Sequence, residues 1–156
     1  KGLVVPGMTT DSELEHLRLE LPDEVQVTRV DENLSTLSNH CACNDHIAIV
    51  NPEISNETVL AIENTLQVQV FQTKINGEHS LVGSYLRLTN RGGLVHPQSS
   101  LKCLEQLSQI CKLPLCAGTV NRGSAVVGAG LICNDSAAFC GTETTSNEVS
   151  VIDAIY

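Results

Sequence analysis

A chain of 156 residues is long enough to bury a hydrophobic core as one domain. Hydrophobic residues make up 42% and charged residues 17% of it, which excludes intrinsic disorder, and no apolar run approaches the roughly 20 residues of a membrane span. Nine Lys and Arg against 18 Asp and Glu give a net charge of -9, which disfavours binding nucleic acid through phosphates and favours protein contacts.

The predicted elements follow a recurring order along the chain. Each copy has a short apolar strand, an amphipathic helix, a second strand, a turn and a further strand. In chain order the sequence predicts strand 3–5, a helix from Thr10, strand 25–27, a turn at Asp31, a strand leading to 44–45, strand 47–50, a helix from Ser55, strand 68–70, a turn at 76–77, a strand leading to 90–91, strand 94–95, a helix from Ser100, strand 115–117, a turn at 121–123, a strand leading to 134–135, strand 137–140 and a helix from Thr145. This order indicates an α/β fold.

The helix starts and the buried helix faces recur at one spacing. The hydroxyl residues suited to cap the helices stand at steps of 45 residues: Thr10, Ser55, Ser100 and Thr145. Thr10 with Glu13 and Thr145 with Glu148 also fit the capping-box pattern. The apolar stripes follow the same step: Leu14, Val59, Leu104 and Val149; Leu17, Ile62, Leu107 and Ile152; Leu21, Leu66, Cys111 and Tyr156.

A repeat of about 45 residues predicts units that bury their faces against their neighbours, as in a propeller. The single domain 1–156 holds about three and a half copies, starting near residues 1, 37, 83 and 128. The first strand lacks a partner and the last helix lacks a following strand, so we expect a fragment or a chain with unobserved ends. Seven cysteines without a C-x-x-C pair indicate free thiols in a reducing, intracellular compartment.

Several stretches resemble the translation initiation factor six family of eukaryotes and archaea. The matching stretches are 2–6 (GLVVP), 34–39 (LSTLSN), 43–45 (CND), 92–97 (GGLVHP), 117–124 (AGTVNRGS) and 139–146 (FCGTETTS). The similarity runs from Lys1 to Tyr156, and the cysteines favour the eukaryotic branch. The resemblance implies a pentein, a five-fold pseudosymmetric αβ propeller, of which this chain is a partial domain lacking about one and a half units before Lys1 and a short tail after Tyr156.

The resemblance also implies a binding protein without enzymatic activity, cofactor or metal. Such a protein binds the intersubunit face of the large ribosomal subunit, at a ribosomal protein beside the sarcin–ricin loop, with limited direct contact to ribosomal RNA. It prevents premature joining of the small subunit and takes part in large-subunit biogenesis, and a GTPase acting with the Shwachman–Diamond protein releases it. No membrane is involved, and the expected locations are the cytoplasm and the nucleus, including the nucleolus.

Two ribosome-binding residues are predicted. Asn39 matches the asparagine that closes the L-S-x-L-G-N segment of the family on its ribosome-facing side, and Ser38 stands where the family has glycine. Tyr85 is assigned the analogous place in the next copy, and tyrosine is enriched at interface hot spots. The alternative is that both residues lie on strands and pack within the domain.

Polar residues recur after the third strand of each copy: Asn44, Asp45, Asn90, Asn134 and Asp135. They suggest a polar ring, but Asn and Asp also satisfy tight turns by bonding their own backbone, and we favour the turn interpretation. The stretch 121–123 is interpreted in the same way, with Arg122 as a candidate surface contact.

Two groups of residues have a functional alternative. Four of them suggest a zinc site: His40, Cys41, Cys43 and His46. Cys41 and Cys43 would face one side of a strand and the histidines the other, so we interpret the thiols as core residues. Cys111 and Cys140 align with Leu and Val in the other copies and are likewise interpreted as core residues.

Two other functions remain alternatives. Amidino-modifying enzymes share the pentein fold, but they need a thiolate beside a base, and none of the five histidines here lies in a His-x-Asp or His-x-Glu pair. A generic scaffold that binds another partner through the repeat surface is the second alternative.

Overall fold

The computed structural model describes residues 1–156 and consists of short strands and helices in a recurring order. The elements are β1 (Gly2–Pro6), α1 (Asp11–Glu20), β2 (Gln26–Val30), α2 (Leu37–His40), β3 (Cys41–Cys43), β4 (Ile47–Val50), α3 (Asn56–Leu66), β5 (Gln69–Gln72), α4 (Val82–Tyr85), β6 (Leu86–Leu88), β7 (Gly93–Val95), α5 (Leu101–Cys111), β8 (Leu115–Ala117), α6 (Val127–Gly130), β9 (Leu131–Cys133), β10 (Ala138–Cys140) and α7 (Ser146–Ile155). None of these helices is long and apolar enough to cross a membrane.

The strands form four small sheets and no closed barrel. β1 pairs with β2 in parallel, and β9 pairs with β10 antiparallel. The two complete sheets have the orders β3-β4-β5 and β6-β7-β8, each with one antiparallel and one parallel pair. The protein is therefore a mixed α/β fold, as the sequence predicts.

All four long helices begin at the predicted caps. The hydroxyl oxygen of each cap accepts a hydrogen bond from the backbone N–H three residues later; the caps are Thr10, Ser55, Ser100 and Thr145. Both predicted capping boxes, at Thr10 with Glu13 and at Thr145 with Glu148, are present. These contacts satisfy backbone donors that a helix start leaves free, so local sequence sets where the helices begin.

A short helix precedes the third strand of each copy and was not predicted. The helices α2, α4 and α6 occupy segments that the sequence analysis assigned to strands. Each has four residues, which is too short for an apolar period of 3.6 to be visible. Asn39 and Tyr85 consequently lie on helices, so the strand location given in the alternative for these two residues is wrong.

The core is divided among clusters that lie between consecutive sheets and helices. All four residues of β4 are buried. Ala48 and Val50 pack with Ile62 of α3, whereas Ile49 packs in the cluster that contains Leu107 of α5. Alternate residues of one strand thus pack against successive helices, and each buried Val or Ile contributes about 1.5–3 kcal/mol. Strand β4 therefore contributes side chains to two core clusters at once and links neighbouring copies.

Two core predictions fail near β10. Cys111 is buried as predicted, but Cys140 is exposed and Val149 is 43% exposed. The reason is that β1, β4 and β7 each have a parallel neighbour, while β10 pairs only with β9. Val149 and Cys140 therefore line an open cavity in place of a packed layer.

Candidate functional site

The three short helices have the same backbone geometry. The residue before each short helix has φ between -89° and -77° and ψ between 64° and 69°; these residues are Thr36, Leu81 and Val126. The residue after each short helix is extended. Ser38 has no positive φ, so serine at this position leaves α2 with the geometry of α4 and α6. We refer to α2, α4 and α6 together as the short-helix row.

Glycines allow the short helices to pack against one another. A Cβ atom on Gly83 would lie 2.0 Å from the carbonyl oxygen of Ser38, and a Cβ atom on Gly128 would lie 2.0 Å from that of Gly83. Backbone atoms cannot move aside as a flexible side chain can, so both positions require the smallest residue. The equivalent residue in α2, Ser38, is exposed and meets no such restriction in this chain.

Asn39 is exposed on α2, with its backbone N–H donating to the carbonyl oxygen of Thr36 at 2.9 Å. Its equivalent in α4 is Ser84, because α2 begins at Leu37 and α4 at Val82. The prediction that Tyr85 is the analogue of Asn39 is therefore wrong by one residue. Tyr85 corresponds to the buried His40. Helices α2 and α4 are nevertheless in contact, so Asn39 and Tyr85 both lie on the short-helix row.

Tyr85 is half-buried in a cluster of three aromatic rings. Its ring centroid lies 4.8 Å from that of His79 and 5.0 Å from that of His96, and the two histidine rings lie 4.6 Å apart. The pKa of His96 is lowered, first by burial and then by the neighbouring His79. Tyr85 also packs against the largest core cluster, so its ring is held rigidly at the C-terminal end of α4.

Apolar side chains are exposed beside the row. Leu81 and Val126, which immediately precede α4 and α6, are 38% and 37% exposed. A row that carries both exposed apolar side chains and the exposed amide of Asn39 has the mixed character of protein–protein interfaces. The surface is therefore suited to binding another protein.

Polar residues connect the copies just after the C-terminal ends of β3, β6 and β9, whereas the short-helix row precedes the N-terminal ends of these strands. The Asn90 side-chain amide donates to Asp45 Oδ2 at 2.7 Å and to Asp135 Oδ2 at 2.6 Å. The backbone N–H of Asp45 donates to Asn90 Oδ1, and that of Asn90 donates to Asp135 Oδ1. We call Asp45, Asn90 and Asp135 the polar arc. Each link spans 45 residues, one repeat.

The turn interpretation is confirmed at the neighbouring residues Asn44 and Asn134. Asn44 Oδ1 accepts from the backbone N–H groups of His46 and Ile47. Asn134 Oδ1 accepts in the same way from the N–H groups two and three residues later. The Asn44 amide additionally donates to the Thr89 carbonyl of the next copy at 3.1 Å. Turn chemistry and contacts between copies therefore coexist. The favoured turn interpretation describes Asn44 and Asn134, and the polar-ring alternative describes Asp45, Asn90 and Asp135.

Glu148 links the loop 119–124 to the start of α7. Glu148 is buried, with 9% of the residue exposed. Its carboxylate accepts hydrogen bonds from the Thr119 hydroxyl and from the backbone N–H groups of Arg122, Gly123 and Thr145. The Thr119 hydroxyl, followed by the Thr145 backbone, lowers the pKa of Glu148 to about 2. The Arg122 guanidinium lies 3.2 Å from Glu143, so this candidate contact residue is engaged in a surface ion pair.

The two thiols of β3, which were predicted to be core residues, are not fully buried. Cys41 and Cys43 lie on one face of β3 as predicted, but Cys43 is exposed and Cys41 is only partly buried. His40 is buried and its Nδ1 lies 3.0 Å from the Asn51 amide nitrogen. No three His, Cys, Asp or Glu side chains converge on one point where they would hold a metal ion.

Comparison with known proteins identifies the family. The eIF-6 family model matches residues 1–155. The chain is 53% identical over 156 residues to eukaryotic translation initiation factor 6 of Saccharomyces cerevisiae and 51% identical over 156 residues to that of Toxoplasma gondii. It is 52% identical over 155 residues to eukaryotic translation initiation factor 6-2 of Arabidopsis thaliana.

These matches include nearly all of the chain but only part of each relative. They cover 100%, 100% and 99% of this chain, and 63%, 59% and 63% of the relatives from Saccharomyces, Toxoplasma and Arabidopsis. The chain therefore spans about three fifths of the length of these relatives. With the family model matching residues 1–155, the chain belongs to the eIF-6 family.

Proposed function

We propose that the protein is a ribosome anti-association factor that binds the intersubunit face of the large ribosomal subunit and prevents premature joining of the small subunit. The observation that carries this proposal is membership of the eIF-6 family, whose relatives are named eukaryotic translation initiation factor 6. The exposed amide of Asn39 on the short-helix row supports a role in binding another protein.

The short-helix row is the proposed contact surface. Asn39 of α2 presents an exposed amide, and Leu81 and Val126, which precede α4 and α6, present exposed apolar area along the same row. Tyr85 of α4 is the second proposed contact residue, and its packing against the core fixes its ring, which lowers the entropy lost on binding. The proposed partner is a ribosomal protein beside the sarcin–ricin loop.

Charge limits the proposed contact with ribosomal RNA. The chain carries a net charge of -9, which repels phosphates over distances of the order of the Debye length, about 8 Å at physiological ionic strength. We therefore propose that protein contacts dominate and that direct contacts to ribosomal RNA are few.

The proposed architecture is a pentein with about 45 residues per unit. Three observations support it: helix caps at steps of 45, close glycine contacts between successive short helices, and a polar arc with links of 45 residues. In the proposed ring, units start near residues 1, 37, 83 and 128, and further units of the protein complete the five-fold arrangement.

The same family resemblance extends the proposal to the life cycle of the subunit. The protein would take part in large-subunit biogenesis in the nucleus and nucleolus and stay on the subunit into the cytoplasm. A GTPase acting with the Shwachman–Diamond protein would then release it.

A pelleting experiment tests the proposal. Full-length protein is sedimented through a sucrose cushion with purified large or small subunits, as wild type, Asn39→Ala and Asn64→Ala; Asn64 is an exposed asparagine of α3 and serves as the matched control. We expect binding to large subunits alone, with about tenfold weaker affinity in Asn39→Ala, equivalent to about 1.4 kcal/mol, and no change in the control.

Each other outcome has a defined meaning. Binding that Asn39→Ala leaves unchanged would keep the function and move the contact surface away from α2. Absence of binding to large subunits would reject the function and favour a scaffold with another partner. Turnover of a guanidinium substrate, lost in a Cys140→Ala variant, would favour the amidino-modifying enzyme.

A further inference from the structure

Strand β3 places two thiols side by side. Cys41 and Cys43 are two residues apart in the strand, where alternate side chains point to the same face. Both line one cavity of about 420 Å³. Cys43 is exposed to solvent and Cys41 is partly buried behind it. A small oxidant can therefore reach Cys43 first.

A guanidinium group completes this cavity. Arg87 of β6 lines the same cavity, and its Nη2 donates to the carbonyl oxygen of Gly128. Its Nε is buried and has no hydrogen-bond partner. Positive charge held beside a thiol stabilises the thiolate, which is the nucleophilic form of cysteine. The position of Arg87 therefore favours ionisation of Cys43.

The balance of charges near Cys43 supports this assignment. The pKa of Cys43 is lowered to about 7, first by the Cys41 thiol and then by Arg87, against opposing effects of burial and of Asp45. The pKa of Cys41 is raised by its interaction with Cys43 and by burial. The two thiols thus take different roles, with Cys43 as the thiolate and Cys41 as the protonated neighbour.

We propose that Cys43 and Cys41 form a peroxide-sensitive dithiol, in which Cys43 is the thiol that reacts with hydrogen peroxide and Cys41 is the resolving thiol. The Cys43 thiolate attacks one peroxide oxygen, the O–O bond breaks, and the products are Cys43 sulfenic acid and hydroxide. Cys41 then passes its proton to the departing hydroxyl group of the sulfenic acid and attacks the Cys43 sulfur, which forms the S–S bond and releases water. Two thiols are oxidised and one peroxide is reduced.

The geometry predicts a disulfide that is easily reduced. Residues two apart in a strand have Cα atoms about 6.6 Å apart, near the upper end of the roughly 4.4–6.8 Å that disulfides span. Closure therefore requires β3 to bend. β3 is an edge strand of three residues, bonded to β4 on one side only, so it can bend without breaking a central ladder. Strained disulfides of this kind are labile and suit reversible modification.

Chemical labelling of the full-length protein tests the proposal. The protein is treated with less than one equivalent of hydrogen peroxide, with or without dimedone, which traps sulfenic acid, and the cysteine peptides are quantified by mass spectrometry. The other exposed cysteines, Cys116 and Cys140, are internal controls, and Cys116 is the decisive one because the exposure of Cys140 depends on the unpaired edge of β10. A pKa lowered from 9.0 to about 7 raises the thiolate fraction near neutral pH about 50-fold and lowers its intrinsic nucleophilicity about tenfold. Cys43 should therefore react about fivefold faster than either control.

Variants separate the two steps. Wild type should yield a Cys41–Cys43 disulfide that dithiothreitol reverses, whereas Cys41→Ser should accumulate the dimedone adduct at Cys43. Equal reactivity of Cys43, Cys116 and Cys140 would overturn the proposal, as would wild-type protein that retains the sulfenic acid or forms only intermolecular disulfides. The wild-type measurement holds even where a variant fails to fold, and neither readout depends on ribosome binding.

Discussion

At the scale of single residues, Glu148 shows how much one side chain can connect. As the third residue of α7 it completes the capping box with Thr145, and it also binds the loop 119–124 through Thr119 and Gly123. The capping box could be predicted because its partners are three residues apart. The bonds to the loop could not, because they join residues 25 to 29 positions apart and depend on how α7 packs.

We predict that Glu148 contributes to stability in a pH-dependent way. Its pKa in the folded protein is about 2, below its ordinary value of 4.5. Because the folded pKa is depressed, the contribution is fully present above about pH 4.5 and is lost as the pH falls towards 2. Glu148→Gln should therefore lower the thermal midpoint at pH 7 and flatten its dependence on pH between 4.5 and 2.

Thermal unfolding of wild type, Glu148→Gln and Glu105→Gln across this pH range checks the prediction. Glu105 is an exposed glutamate of α5 and controls for the change in net charge. The prediction fails if Glu148→Gln and Glu105→Gln give curves of the same shape.

At the scale of elements, the close packing of the short helices explains why positions 83 and 128 are glycine. Neither Gly83 nor Gly128 has a positive φ, so their requirement comes from contact with the preceding short helix and not from backbone conformation. The sequence shows glycine at both positions, but its reason is visible only once α2, α4 and α6 are known to be adjacent.

We predict that Gly83→Ala destabilises the protein. The new Cβ would lie 2.0 Å from the carbonyl oxygen of Ser38 and 2.5 Å from that of Cys41, so α2 and α4 must separate. Overpacking of this kind costs about 1–3 kcal/mol. Urea unfolding measures the loss, with Ser84→Ala on the same helix as the control. Equal stability of the two variants would show that the short helices are not packed as described.

We predict that Asn90→Asp weakens the polar arc. The substitution keeps the shape of Asn90 but replaces the amide that donates to Asp45 and Asp135 with a third carboxylate. Each neighbouring charge costs about 1 kcal/mol at 4 Å in water, and salt screens the repulsion. The loss of stability should therefore be largest at low ionic strength.

Asn64→Asp on α3 is the matched control for this substitution, because it makes the same change in charge at an exposed site. Both variants are unfolded by urea at low and at high salt. Destabilisation of Asn90→Asp that does not respond to salt, or that Asn64→Asp reproduces, would contradict the role of the polar arc.

At the scale of the whole molecule, a repeat of 45 residues predicts which residues are equivalent but not which of them touch. Caps and apolar stripes are local patterns, and they predicted the long helices and five buried residues on them: Leu14, Ile62, Leu107, Cys111 and Ile152. The polar arc arises because equivalent turns of neighbouring copies meet, and the exposed Cys140 arises because β10 lacks a parallel neighbour. Both depend on the arrangement of copies. The one-residue error at Tyr85 has the same origin, since single-residue differences between copies conceal the alignment until the short helices are seen.

The whole-molecule arrangement also separates two candidate surfaces. The short-helix row lies at the N-terminal ends of β3, β6 and β9, and the polar arc follows their C-terminal ends. A partner that binds the row therefore leaves the arc free, and the two surfaces are distinguishable in a complex.

A cryo-electron microscopy reconstruction of the full-length protein bound to large ribosomal subunits tests the central claim most directly. We expect the short-helix row to face the subunit, with the Asn39 amide within about 3 Å of a ribosomal protein and the polar arc turned away from it. A complex held through the polar arc or through the long helices, with Asn39 exposed to solvent, would contradict the account.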